Sequence, residues 1–129
     1  MGTRSLTFVY DDNEVIINMY RQFDGYPEGH GAELAEFLTG IEAVTNGIRV
    51  GETRRTANGM GCLAAQLVAN FKTGVGGFYL YPASAKDCGQ DYEYHIHEDR
   101  IVVKNYSGKE MFSGNWTDFA KFCSAEEVA

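Results

Sequence analysis

The chain has only two prolines and three cysteines, and no surplus of basic charge. Each scarcity excludes something. Cys62, Cys88 and Cys123 are odd in number and widely spaced, which fits neither a disulfide framework nor a zinc pattern. A reducing cytoplasm is the expected compartment. No apolar run approaches the roughly eighteen residues of a membrane span. The residues after Met1 lack the apolar stretch of a signal peptide. Leu6 stands where an N-myristoylation motif starting at Gly2 needs Ser or Thr. The net charge is −7 and the pI about 4.8, so duplex DNA would be repelled at long range. General nucleic-acid binding is therefore not expected.

What is present is a core. Apolar residues make up 44% of the sequence, with 8 Phe and 8 Tyr. A chain of 129 residues buries roughly two-thirds of its unfolded surface, so it folds without staples. One domain over residues 1–129 is expected, with the acidic end 124–129 as a frayed tail. Leu6, Phe8 and Tyr10 alternate, Asp11 to Glu14 is turn material, and Val15 to Phe23 is a second β-rich run, which together predict a hairpin. Leu34, Phe37, Leu38 and Ile41 fall on one helix face. The segment from Val44 to Thr56 has little periodicity and reads as an irregular connection. Met60, Leu63, Ala64, Leu67, Val68 and Phe71 form a helical stripe closed by Gly74, Gly76 and Gly77. Phe78 to Tyr81 is a short strand. Tyr92, Tyr94 and Ile96 alternate with Asp91, Glu93, His95 and His97, and Ile101 to Tyr106 pairs back as a strand. Residues 110–113 form a last strand. Asn115, with Asp118 three residues on, predicts the N-cap of a final helix. The expected architecture is α+β: an antiparallel sheet of about five or six strands with two or three helices packed on one face.

The segment from Arg21 to Gly31 is the most unusual. A strand runs into a rigid turn and then a glycine-rich helix entry. Helix starts carry unpaired N–H groups and a positive dipole end, so anions bind there. Arg21, Asp24, Tyr26, Gly29, His30 and Gly31 are therefore candidate ligand-binding residues, together with Arg4 on the strand expected to pair alongside. Arg54 and Arg55 precede a second glycine-rich helix start and join the set. Arginine suits forked recognition of phosphate. Asp24 is expected to orient an arginine or accept a ribose hydroxyl, and Tyr26 to stack on a ring. The bland alternative is that both segments are only turn chemistry. There is no P-loop, because Gly-Lys-Ser/Thr is missing.

His95 and His97 share a strand face with Glu93 and Asp91, a metal-like pairing that a half-exposed polar face explains equally well. Cys88 lies beside Asp87 with nothing near to activate it. There is no Ser-His-Asp order, glycosidase pair or zincin signature, so no catalytic residue, metal or cofactor is assigned.

The opening Met1-Gly2-Thr3-Arg4-Ser5, the strand leading to Phe23-Asp24-Gly25-Tyr26-Pro27, and Asp91-Tyr92-Glu93-Tyr94 resemble a group of small uncharacterised bacteriophage and bacterial proteins. Those proteins tend to open in the same way and carry Trp-Asp-Gly-Tyr-Pro, with Phe23 here in place of the Trp. The resemblance implies a phage-type accessory protein in the host cytoplasm. The expectation that follows is a non-catalytic binder of an anionic, nucleotide-like small molecule, of the cyclic nucleotide or cyclic ADP-ribose type, that sequesters a host immune signal. The alternatives are a protein-interaction module that inhibits a host factor and an enzyme that degrades a nucleotide signal. A homodimer is expected on the count of aromatics.

Overall fold

The structure is a computed structural model and describes residues 2–48 and 55–128, with side chains to residue 124. Arg54 lies outside the described residues.

Strands β1 (Ser5–Asp11) and β2 (Glu14–Arg21) form the expected hairpin. Its two-residue turn places Asp12 and Asn13 at φ 53 and 68, the left-handed pair that a tight hairpin requires and that Asn and Asp tolerate. A π-helical turn, Pro27–Gly31, leads directly into helix α1 (Ala32–Thr39). Strands β3 (Ala43–Thr45) and β4 (Thr56–Asn58) pair in parallel as a small separate ribbon. They fall at the two ends of the stretch expected to be an irregular connection. Helix α2 (Gly59–Phe71) is followed by β5 (Phe78–Tyr81), β6 (Tyr92–Ile96), β7 (Ile101–Asn105) and β8 (Glu110–Gly114). Helix α3 (Trp116–Val128) starts where the Asn115 carboxamide accepts the Asp118 N–H at 2.7 Å, as the capping pattern predicts. The helix continues into the acidic segment expected to fray.

The main sheet has six strands in the order β5-β2-β1-β6-β7-β8. The fold is α+β and the sheet mostly antiparallel. Its centre departs from the expectation, because β1 and β6 run parallel. Two antiparallel three-stranded halves, one from each end of the sequence, thus meet edge to edge.

Strand alternation divides the residues between two faces. Val9, Met19, Tyr94, Ile96, Ile101 and Val103 face the helices and join Leu34, Leu38, Leu63, Leu67, Phe71 and Phe119 in the main core. Leu6, Phe8 and Tyr20 form a second cluster on the other face, where Cys88 packs against them. The loop after β5 crosses this side, and the Asn18 side chain donates to the carbonyls of Pro82 and Ala85 at 3.2 and 2.9 Å.

Candidate functional site

Arg21 ends β2 on the helix-facing side, since its partner across the hairpin is Ser5. Its side chain is only 12% exposed. Nε donates to the Phe23 carbonyl at 2.6 Å, and the guanidinium stacks over the Phe78 ring with 4.9 Å to the centroid. One Nη1 hydrogen reaches the His30 Nδ1 at 3.1 Å. The other reaches the Glu33 carboxylate.

His30 is fully buried, against Phe71 and Tyr94. Because its Nδ1 accepts from arginine, the proton of the neutral ring sits on Nε2, which donates to the Thr7 hydroxyl at 2.8 Å. Burial, and secondarily the charge on Arg21, push the His30 pKa down to about 3. The result is a chain of side chains, Thr7 to His30 to Arg21 to Glu33, running from the sheet to the surface. His30 was a candidate ligand contact. Both its nitrogens are occupied inside the core, so it acts on Arg21 and not on a ligand.

A groove of about 930 Å³ opens beside Arg21. One wall is α1 and the residue after it: Glu33, Glu36, Phe37 and Gly40, spaced as one helix face. The other is Gln66, Ala69, Asn70 and Thr73, with the same spacing along and just past α2. Ile41, Phe71 and Phe78 supply apolar surface. Arg55 also lines the groove and donates to Glu42 at 3.0 Å, with 70% of its side chain exposed. Glu33 lies in the first turn of α1, and Glu42 lies three residues beyond its last residue, Thr39. Among the described residues, the carboxylate of Glu36 has no ion-pair partner.

The remaining candidates lie elsewhere. Arg4 belongs to the opposite sheet face: its backbone N–H donates to the Asp91 carboxylate at 3.0 Å, and its guanidinium lies next to Gly89. Its Nε is buried and unpartnered. Asp24, not Gly25, takes the left-handed conformation of the turn, at φ 60. Asp24 accepts from the Tyr26 hydroxyl at 3.1 Å, so these two satisfy each other. The amides expected to await an anion are already bonded. Gly29 and Gly31 donate to the Tyr26 carbonyl at 3.0 and 3.4 Å, and His30 donates to the Asp24 carbonyl at 2.7 Å. These glycines serve close packing. A Cβ at Gly25 would meet the Arg4 and Ser5 backbone at 2.8–2.9 Å, one at Gly29 the Asp24 carbonyl at 2.6 Å, and one at Gly31 the Cys123 sulfur at 2.9 Å.

The polar strand face carries a second hydrogen-bonded chain. The Tyr10 hydroxyl meets His95 Nδ1 at 2.7 Å, His95 Nε2 meets Glu93 at 2.9 Å, and Gln90 donates to Glu93 at 3.0 Å. Phe8 stacks on His95 and His97 on Tyr10. Hydrogen bonding to His95 holds the Glu93 pKa below the usual carboxylate range. His95 thus spends both nitrogens on neighbouring side chains. No group of three metal-ligating side chains is gathered anywhere among the described residues. No described helix is long and apolar enough to cross a membrane.

Comparison with protein-family models, with curated proteins and with solved structures finds no match to this chain.

Proposed function

We propose that the chain is a non-catalytic binder of an anionic, nucleotide-like small molecule, held in the groove between α1 and α2. The observation that carries this reading is the meeting of Arg21 and Arg55 on one groove that also holds three phenylalanines. Thirty-four positions separate them in sequence. A guanidinium recognises phosphate through paired hydrogen bonds. Phe37, Phe71 and Phe78 offer surface for a ring, and Asn70 carries an amide able to donate to and accept from a base edge. Pockets for small ligands combine apolar surface with placed polar groups. The phage-type resemblance adds a setting, in which such a binder withdraws a nucleotide signal from the host.

The test is a thermal-shift screen against linear and cyclic nucleotides, followed by calorimetry on hits and recovery of the bound compound. The expected result is a hit returned chemically intact, with affinity lowered about tenfold or more by Arg55→Ala, the scale of one charged hydrogen bond. Asn70→Ala also weakens it. Binding indifferent to both substitutions removes the ligand from this groove, and turnover of the compound makes the protein an enzyme.

A further inference from the structure

The Arg21 guanidinium is fixed from behind by the Phe23 carbonyl, His30 Nδ1 and the Phe78 ring. All three are parts of the fold. Among the described residues its one carboxylate partner is Glu33, whose side chain is 53% exposed. Among the described residues Nη2 has no hydrogen-bond partner. The edge between Nη1 and Nη2 is the fork on which arginine grips an oxyanion with two parallel bonds. Glu33 takes one Nη1 hydrogen with one oxygen and leaves Nη2 unused.

Resting on the groove reading above, we infer that Glu33 is a specificity-determining residue, a built-in occupant of the anion position that makes the groove select terminal phosphate monoesters over cyclic phosphodiesters. The reason is competitive. Glu33 is tethered to the wall and carries one negative charge, so its carboxylate competes at high effective concentration. A cyclic diester also carries one charge, on two free oxygens, and gains little by replacing it. A phosphate monoester carries about −1.5 to −2 at pH 7 and three terminal oxygens. It spans both tines and brings more charge to a guanidinium that is already oriented. The released Glu33 carboxylate turns outward and is rehydrated, where solvent and salt screen its repulsion. Glu36, one turn further along the same wall, disfavours every anion but is exposed and screened likewise.

The experiment is calorimetric titration of the four nucleoside 5′-monophosphates and their 3′,5′-cyclic counterparts. It uses the unaltered protein, Glu33→Gln and Arg55→Ala. Expected for the unaltered protein is a monophosphate bound about tenfold more tightly than its cyclic counterpart, a charge-assisted hydrogen bond's worth. In Glu33→Gln the cyclic nucleotide tightens and the ratio shrinks to about threefold or less. A ratio unchanged by Glu33→Gln, or a loss of affinity for both series, overturns the inference. If Arg55→Ala still weakens binding in that case, the groove reading stands and only the role of Glu33 falls. If neither series binds any of the three proteins, the groove reading falls and the inference with it.

Discussion

The guanidinium of Arg21 donates to the buried Nδ1 of His30 at 3.1 Å, so a candidate ligand contact and a core residue share one proton arrangement. That arrangement holds only while the imidazole is neutral. In the unfolded chain the ordinary His pKa is about 6.5, and in the fold it is pushed down to about 3 by burial and by the Arg21 charge. Between those values the unfolded state binds a proton that the folded state does not. Stability is therefore full above about pH 6.5 and falls as pH drops toward 3, by up to about 1.4 kcal/mol per pH unit from this one group. Urea unfolding between pH 7 and pH 4.5 should show a shallower fall for His30→Gln than for the unaltered protein. Parallel curves would mean that His30 takes up its proton in the fold as readily as outside it.

Arg21 is a structural residue as well as a candidate contact. Arg21→Ala strands the His30 Nδ1 in the core and removes the cover over Phe78. A loss of about 1–3 kcal/mol is expected, the range for a buried polar group left unsatisfied. Arg55→Ala should change stability by about 0.5 kcal/mol or less, since its pair with Glu42 is largely solvated. Denaturant midpoints compare the two directly, and equal losses would remove the distinction. Arg55 is accordingly the cleaner substitution for binding measurements.

Leu67 sits at the centre of the α2 stripe and is completely buried against the sheet. Leu67→Ala should cost about 2–5 kcal/mol. A chemical-denaturation loss below about 1 kcal/mol would mean that the α2 stripe is not the core.

That stripe shows what is legible in one dimension. Periods of 3.6 and 2 are local, so α2 and the alternation of β6 could be read directly. The Asn115 cap, with its partner three residues on, was equally local. The parallel contact of β1 with β6 joins segments more than eighty residues apart and leaves no periodic trace. The three-residue strands β3 and β4 are too short to show one. Arg4 went astray by one step of register: Arg21 pairs with Ser5, so its neighbour Arg4 falls on the opposite face. The glycines from 25 to 31 read as freedom for a ligand because sequence shows a missing side chain but not what fills the space. The groove walls had a faint signal, polar or small residues at 33, 36, 40 and at 66, 69, 70, 73, flanking apolar stripes. In the Tyr10–His95–Glu93 chain the shared face of Glu93 and His95 was legible, but the Tyr10 link was not, because it depends on which strands are neighbours.

Gly31 offers the sharpest check on that reversal of role. Sequence presents it as a residue that leaves helix amides open. In the fold it is buried where the start of α1 meets α3, and an added Cβ would stand 2.9 Å from the Cys123 sulfur and 3.4 Å from the Tyr94 hydroxyl. Tyr94 is held there by donating to the Gly25 carbonyl at 2.7 Å, so it cannot easily withdraw. Gly31→Ala should thus destabilise by about 1–3 kcal/mol through overpacking, even though alanine favours helix. Cys123→Ala removes the nearer obstacle at the cost of a small buried group. The two substitutions together should lose less than the sum of their separate losses, with a coupling of about 0.5 kcal/mol or more, since the new methyl occupies space the sulfur vacates. A double-mutant cycle by urea denaturation measures this. Strict additivity would show that the α1–α3 contact relaxes freely and that close packing does not explain the glycine.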